Sequence, residues 1–594
     1  MSVFDNINQV EVIKPRGSYQ DLSHSVKLTT EVGRLTPTCC FLLAPGEKVR
    51  LKSDFFCRLA PMYAPLMDNF DIYSFWFADP WRLEWADLQD FITGGVDGDL
   101  DDTLYPTPKV RVKFKTETYV NRAGEVTQLT GADTYKAMCG TGSLADYLGM
   151  PVPIINPVDM STTSDKWQDT IWPATPFRVY HRIWNDYFRN QNIEPEEWEY
   201  VDGDVHDLSP VYARLRYKNF NKDYFTSALP NTQLGDTIPL VIDSQVVFDR
   251  GSNSGDKVWV YNNTAQPASI SGRDSADDPQ QQLQLASKNA SFAMPGYGTS
   301  SSNLAVEGDN GSQFAAFLDN SKSLKVNSSV TINNLRAAIA VQEFQELNAR
   351  AGHRYIEYIL AQYGVYSQDA RLQRPEFLGG CSTPVNVSAV LQNSAPTSET
   401  DSGVLGSYAG YGQAVGNVPG VEFYTASEYT WIMNIICVVP HNSYMQGLPK
   451  HLDIQNRFDL PIPLLAGLGE QPILNKEVFF DCYDNSDRET YNNGTFGYTA
   501  RYNQYRFLPD SIHGDFRETL NTWHLARLFS PSDRPELNAE FIKINPDEYN
   551  RVFNVTSSDF DHFMINIYHS IDAFRKIPRL GTPKLSANPS NMTV

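Results

Sequence analysis

The sequence is short of almost everything that marks an enzyme or an exported protein. Its 594 residues contain no Walker A loop, no GxSxG elbow and no HExxH pair, and the ten histidines are scattered. The seven cysteines (Cys39, Cys40, Cys57, Cys139, Cys381, Cys437 and Cys482) form no CxxC pair, which excludes a zinc ribbon or a thioredoxin-type redox centre. Their odd number and irregular spacing point to reduced thiols, most of them buried as small apolar groups. The most apolar run, residues 431–440, is too short for a membrane span and contains Asn434. The first residues, MSVFDNINQVEVIKPRG, lack the apolar centre of a signal peptide, so the expectation is a soluble protein made in the cytoplasm without an export signal.

Positive charge is thin as well. Lys and Arg total 49 against 70 Asp and Glu, a net charge of −21 at pH 7, and no Lys/Arg block occurs anywhere. Nucleic-acid binding by phosphate neutralisation needs a basic face or arm. Any such contact is therefore expected to be local, or to need a separate basic partner. Charged residues make up only 20% of the chain, while aromatics reach 12%, with 31 Tyr and 32 Phe. Together with 36 Pro and 37 Gly, that mixture favours strands and loops over helical bundles. The length exceeds what one simple core supports, so the chain is expected to hold two or more domains, or one with long insertions.

Short strand patterns broken by Pro and Gly occupy residues 26–28, 38–43, 49–56 and 110–119, drawn from the segment 22–119. Residues 70–77 (FDIYSFWF) are apolar on both faces and predict a strand buried between two layers. Four helical insertions interrupt the strands. The first, at 79–94, opens at Asp79-Pro80, lines up Trp81, Trp85, Leu88 and Ile92, and stops at Gly94-Gly95. The second, at 143–149, opens on Ser143 with Asp146 three residues on. The third, at 175–190, starts at Thr175-Pro176 and spaces Phe177, Tyr180, Ile183 and Tyr187 helically. The fourth, at 333–363, carries Leu335, Ile339, Phe344 and Leu347, breaks at Ala351-Gly352, resumes with Tyr355, Ile356 and Ile359, and ends at Gly364. Strand patterns then return within 364–570, at 385–391, 421–439, 473–480, 499–507 and 563–570.

Two stretches depart from this rhythm. Residues 243–329 are rich in Ser, Asn, Gln, Asp and Gly, with isolated Phe292, Tyr297, Phe314 and Phe317. Strand patterns at 246–248 and 258–261 predict an ordered insertion with a polar surface. Residues 394–420 read as a flexible Gly-rich loop. Within it Gly410 to Gly416 (GYGQAVG) superficially suggests a dinucleotide fingerprint, but the spacing is wrong and Pro419 follows where a helix is needed. Strands early, helices inserted and strands late together describe an antiparallel β-sandwich with expanded loops.

Candidate metal ligands are weak. Asp97, Asp99 and Asp101 alternate like the start of a calcium loop, yet position six is Asp102 and position twelve is Pro108, where Gly and Glu are required. The acidic run 194–207 reads as solvated, leaving room only for weak divalent-cation binding at a subunit contact. His562 and His569 lie seven apart on a strand pattern, hence on opposite faces, and read as structural. No catalytic residue, cofactor or specific metal site is expected.

Longer strings carry a resemblance. Residues 18–28 (SYQDLSHSVKL), 56–68 (FCRLAPMYAPLMD) with 76–85, and 181–193 (HRIWNDYFRNQNI) resemble, in order, the major capsid proteins of the Microviridae, particularly the gokushovirus-like branch. The most specific string is 350–386, RAGHRYIEYILAQYGVYSQDARLQRPEFLGGCSTPVN, followed by 446–449, 468–477, 497–507 and 522–528. The resemblance covers most of the chain outside 243–329 and 394–420. It implies a mainly β chain, a single eight-stranded antiparallel jelly roll with large loop insertions containing several helices. It also implies a sixty-copy T=1 icosahedral shell of a bacteriophage, assembled in the host cytoplasm around circular single-stranded DNA. Implied partners are the chain itself, a small basic DNA-associated protein, other phage structural proteins, and a bacterial surface receptor.

On that resemblance residues 1–594 form one capsid subunit, and 243–329 is the candidate protrusion at the threefold axes, with Phe292, Tyr297, Phe314 and Phe317 on it. Shell subunits bury large areas against their neighbours, so aromatics and arginines are the expected anchors: Trp184, Tyr187, Phe188, Arg189, Arg371 and Arg374. The competing expectation is a jelly-roll carbohydrate-binding or attachment protein. It gives no reason for four inserted helices or for the 350–386 string.

Overall fold

The computed structural model describes residues 17–94, 106–112, 118–120, 126–128, 140–152, 170–197, 205–208, 210–235, 332–352, 354–391, 408–483, 486–555 and 560–577, with seven short strands between 244 and 328. The chain divides into two units, one of Met1–Leu234 with Gln345–Val594 and one of Gly235–Phe344.

In the first unit ten strands build two sheets. They are β1 (Ser18–Asp21), β2 (His24–Thr30), β3 (Thr36–Leu43), β4 (Lys48–Leu59) and β5 (Phe70–Pro80). After the inserted segments come β6 (Glu376–Pro384), β7 (Asn386–Leu391), β8 (Tyr408–Thr425), β9 (Thr430–Pro440) and β10 (Phe563–Arg575). One sheet runs β1–β10–β4–β8–β7, with β2 also paired to β10; the other runs β6–β5–β9–β3. All these pairings are antiparallel. The protein is therefore mainly β, as its many aromatic, Pro and Gly residues lead one to expect.

Alternation decides which way each strand faces. In β4, Val49, Leu51, Ser53, Phe55, Cys57 and Leu59 are buried while the residues alternating with them are not. In β10 the buried apolar set is Phe563, Ile565, Ile567, Ile571 and Ala573, with His569 buried among them. These side chains join Ile72 and Trp76 of β5 and Ile432 to Val439 of β9 in one core. Each fully buried aliphatic side chain contributes about 1.5–3 kcal/mol by leaving water. β5 is covered on both sides, as its unbroken apolar run predicts. Trp76 faces the core, 5.3 Å from the His569 ring, and Phe75 and Phe77 face the turn at Trp184–Phe188.

A chain of polar groups crosses the middle of this core. The Thr38 hydroxyl donates to Asn434 Oδ1 at 2.6 Å, and the Asn434 amide donates to the Ser74 hydroxyl and the Phe75 carbonyl, each at 3.1 Å. His569 lies between Thr38 (Nε2, 3.2 Å) and Ser53 (Nδ1, 2.8 Å). With its proton given to Asn434, Thr38 accepts from Nε2–H, so Nδ1 accepts from Ser53. The ring is thus satisfied in its neutral form. Burial, helped by the neighbouring His24, pushes the His569 pKa down to about 3.

A lowered histidine pKa means that folding releases a proton. The contribution is fully present above the unfolded value near 6.5 and is lost as pH falls toward 3. Between pH 6.5 and pH 5 the subunit is expected to lose about 2 kcal/mol through this group. Denaturant midpoints measured across that range should show the loss in the native chain and a shallower one in His569→Gln. Equal slopes for the two would remove His569 as the cause. His562 shifts the opposite way: burial works against its charge, but Glu31, 2.7 Å away, raises its pKa overall.

Several expectations need correction. The single helix expected over 79–94 is divided, because Asp79 and Pro80 still pair in β5. A 3-10 turn follows at Trp81–Leu83, then a short helix at Leu88–Thr93 with Gly94 in the left-handed conformation (φ 78°). The strand expected at 473–480 stops at Leu474, where the Glu477 carboxylate accepts from the Leu474 amide and opens the helix Asn475–Val478. The strand expected at 499–507 is instead Thr495–Ala500, ended by Tyr502 at φ 62° and a 3-10 turn at Asn503–Tyr505.

The Gly-rich loop expected over 394–420 becomes strand β8 from Tyr408 onward; 392–407 lie outside the described residues. Its glycines make room for bulky neighbours. A Cβ on Gly416 would sit 2.2 Å from Phe55 Cζ, its cross-strand partner, and one on Gly412 would sit 2.8 Å from Leu59 Cδ2. What read as loop composition is one strand trimmed to fit large side chains on the next.

Other expectations match. Ser143 caps Leu144–Tyr147 by accepting from the Asp146 amide. Pro176 stands in the first turn of Thr175–Ile183, and the later helices are Ile332–Ala351 and Tyr355–Tyr363, closed by Gly364 (φ 67°). A smaller second core joins Tyr224, Phe225, Ile473, Val478, Phe496 and Phe541 beneath the long connections after β9. Of the cysteines, Cys39, Cys57 and Cys437 are buried and Cys482 is exposed, all as free thiols. In the unit Gly235–Phe344 the described strands pair antiparallel, Ser244–Val247 with Lys325–Ser328 and Trp259–Tyr261 with both Pro267–Ser269 and Ala315–Phe317.

Candidate subunit-contact surface

The string 350–386 folds into an arm that carries apolar groups outward. Its helix Tyr355–Tyr363 has Tyr355, Ile356, Tyr358, Ile359, Leu360 and Tyr363 distributed around the axis, so packing one face cannot cover them all. Tyr355 is 64% exposed and Tyr363 70%; past Gly364, Val365 and Tyr366 are exposed too. Contiguous exposed aromatics on a folded chain mark a contact surface.

The arm is fastened by a socket made from the candidate anchors. Helix Thr175–Ile183 runs into a wider π turn, Trp184–Phe188, which pushes Tyr187 and Phe188 toward the outer side of β5. Phe188 packs 5.5 Å from Phe75, and Tyr187 packs 4.9 Å from Phe77. The Tyr187 hydroxyl donates to the Pro375 carbonyl and lies 3.2 Å from Asp369. The Arg374 guanidinium stacks 4.3 Å over the Tyr187 ring and pairs with Asp369 at 3.4 Å. Arg354 donates to the carbonyls of Asn185 (2.6 Å) and Arg189 (3.2 Å), and the Gln191 amide donates to Glu357 at 2.7 Å. Arg189 donates to the Glu194 carbonyl at 2.9 Å.

The socket is half-buried. Burial raises the Tyr187 pKa, and it raises the Asp186 carboxyl even though Arg374, Arg182 and Arg354 surround it.

Four of the six candidate anchors are thus brought together. Trp184 is buried and stacked 4.3 Å from Arg216, and Tyr187, Phe188, Arg189 and Arg374 form the socket. Arg371 stands apart, exposed on the 3-10 turn Asp369–Leu372. Of the protrusion candidates, Phe292 lies in strand Ser291–Ala293 and Phe317 in Ala315–Phe317; Tyr297 and Phe314 fall outside the described residues.

A second outward-facing group was missed by sequence reasoning. Leu452, Ile454, Phe458, Leu464, Leu468 and Leu508 are exposed, Leu464 at 89%. Their backbone is nevertheless well tied. The Phe458 carbonyl accepts from Arg501 and from the Tyr502 hydroxyl, and Asp459 accepts from the amides of Gln455 and Asn456. The available signal was a Pro-rich loop with isolated leucines and no period, a pattern that argues against burial in the loop's own core.

Glu194 and Glu197, at the start of the acidic run, are partnered within the chain, and 198–204 lie outside the described residues. Glu194 accepts from the Asn190 amide and the Asn219 side chain, and Glu197 pairs with Arg214 (2.7 Å) and Arg216 (2.5 Å). Among the described residues no group of three or more His, Cys, Asp or Glu is placed to share a metal ion. Asp97, Asp99, Asp101 and Asp102 lie outside them. No helix among the described residues is long and apolar enough to cross a membrane.

Comparison with known proteins bears on what such a surface contacts. The sequence profile of a family described as capsid protein (F protein) matches residues 9–139 and 140–585. The capsid protein VP1 of Chlamydia phage 1 is 29% identical across 98% of this chain and 98% of its own length. That of Bdellovibrio phage phiMH2K is 29% identical across 97% of this chain and 96% of its own. That of Spiroplasma virus 4 is 26% identical across 95% and 94%.

Proposed function

The chain belongs to the phage capsid protein family described as capsid protein (F protein), and from that premise we propose that sixty copies close into a T=1 icosahedral shell around a single-stranded DNA genome of the Microviridae. As a phage capsid protein it is part of the virion. The observation that carries the assembly reading is the arm at 354–377, rigidly socketed yet presenting Tyr355, Tyr363, Val365 and Tyr366 to solvent. A heterologous contact repeated around closed symmetry axes would cover it.

The strand order supports an eight-stranded jelly roll. Taking β2–β10–β4–β8 and β3–β9–β5–β6 as its two four-stranded sheets leaves β1 and β7 as edge additions. Tyr187, Phe188, Arg189 and Arg374 act in assembly from behind, at the socket that holds the arm, and Arg371 meets the neighbour directly. The segment 243–329, with Phe292, Tyr297, Phe314 and Phe317, forms the protrusion at the threefold axes; its separation as part of a unit of its own supports this. A small basic protein, other phage proteins and a bacterial receptor complete the partners. No resident cofactor or catalytic step is assigned, and any divalent cation binds weakly at a subunit contact.

The test is electron microscopy, with size-exclusion chromatography, of the full chain co-expressed with the other structural proteins of its phage. Uniform closed shells, knobbed at the threefold axes, are expected. Small oligomers only, under those same conditions, would overturn the reading.

A further inference from the structure

The end of β5 buries two acids against each other. Asp79 and Glu84 are both 0% exposed, on either side of the 3-10 turn Trp81–Leu83. Strand alternation puts Asp79 on the same side of β5 as Phe75 and Phe77, toward the socket. Glu84 Oε1 accepts from Arg182 Nε. Glu84 Oε2 and both oxygens of Asp79 meet no donor among the described residues, yet the two carboxyls lie within hydrogen-bond reach of each other. Two ionised carboxylates repel too strongly to share such a site. One proton between them supplies the missing donor.

The surrounding groups leave that proton in place. The helix Thr175–Ile183 and its π turn bring Arg182 and Asp186, while Arg178 is engaged with the Glu84 carbonyl at 2.6 Å. From β3 comes the Cys40 thiol, which burial keeps protonated; from β8 comes Tyr424, and from β6 Glu376, with Asp369 beyond it. Trp431 of β9 stands across from Asp79. Arg374 and Arg354 act on Asp186. Arg182 is thus the cation that serves both carboxyls.

The turn between the two acids also ties the arm. Arg82 donates to Gln373 of the arm and to Glu428 at 2.6 Å, and Arg182 donates to the Leu83 carbonyl at 2.5 Å. A shift of Glu84 away from Asp79 therefore pulls on the arm and on the helix that forms its socket.

We propose that the proton shared by Asp79 and Glu84 locks the arm in its socket, and that losing it at alkaline pH releases the arm. Parting of neighbours in a shell as pH rises would follow, and that consequence rests on the capsid reading above; the lock itself belongs to the single subunit. Burial and the neighbouring Glu84 hold the Asp79 carboxyl well above the ordinary range in spite of Arg182. The docked arm then holds a proton that the open one gives up, so docking is favoured at low pH and lost as pH rises through the docked-state value. An opening that releases one proton grows about tenfold with each pH unit. Asp186 and Glu376 are also raised, each mainly by burial, so the variants must single out the pair.

The test is hydrogen exchange of the full chain, read by mass spectrometry over the helix Tyr355–Tyr363 from pH 6 to pH 9. Native, Asp79→Asn and Glu84→Gln chains are compared at each pH, which cancels the base catalysis common to all. In Asp79→Asn the new amide gives Glu84 the same hydrogen bond without a titrating proton. In Glu84→Gln, Asp79 faces Arg182 alone and stays ionised. The ratio of native to Asp79→Asn exchange in this helix should climb toward about tenfold per pH unit above neutrality, with β4 and β10 exchanging alike in both. Glu84→Gln should lack the climb as well, whatever its starting rate. Equal pH dependence in the native chain and both variants would overturn the proposal. So would an alkaline rise shared by β4 and β10, which is unfolding of the whole subunit. Absence of shells at every pH, with the exchange result intact, would instead refute the capsid reading and leave the lock standing.

Discussion

Arg34→Met is expected to lower the stability of the isolated subunit by about 3–5 kcal/mol, while Arg34→Met/Asp561→Leu should recover most of that loss. Arg34 is 1% exposed, and its guanidinium meets Asp561 at 3.0 Å. Asp561 also accepts from the Thr29 hydroxyl at 2.8 Å. Burial alone would depress the arginine pKa, but the charge of Asp561 and the neighbouring Tyr217 more than reverse it, so the group stays ionised inside the protein. Methionine fills much the same volume and leaves a buried carboxylate without its cation, which is far worse than having neither charge. Urea midpoints of the native, single and double variants give the answer. A single variant within about 1 kcal/mol of native, or a double variant no better than the single, would sink the idea that the charges are held mainly by each other.

Tyr363→Ser/Tyr366→Ser is expected to leave the subunit folded and to abolish shells. Both rings are 70% exposed and neither belongs to a buried core, so the unfolding midpoint should move little. Aromatic anchors at the centre of an interface are commonly worth about 2 kcal/mol or more each. Every ~1.4 kcal/mol removed per subunit raises the concentration needed for association about tenfold. Without the two anchors the assembly threshold should therefore stand roughly a thousandfold higher, beyond the reach of ordinary expression. Light scattering over a concentration series, with the midpoint as control, measures both quantities. Shells appearing at the native concentration would show that these tyrosines do not meet a neighbour.

Where one physical signal dominated, the sequence could be read correctly. The two-sided apolar run of β5, the Thr175-Pro176 helix start and the Gly364 stop each rest on such a signal. Reading failed where distant residues decide. The glycines of β8 looked like loop because their partners, Leu59 and Phe55, are more than 350 residues away. Asp79-Pro80 looked like a helix cap because nothing local reveals that β5 continues through it to pair with β9. The aromatics at 184–188 were recognisable as important, but the π turn that makes them a socket for 354–377 has no local signature.

The pairing of β2 with β10 joins segments whose side chains bond across 531 positions, as Glu31 does to His562. During synthesis at roughly 5–20 residues per second, β2 waits about half a minute to two minutes for its partner to leave the ribosome. Until then the sheet cannot be completed, and the socketed arm has no finished body behind it. The last strand to be made is thus a timing device: a nascent subunit cannot join a growing shell before its own translation has finished.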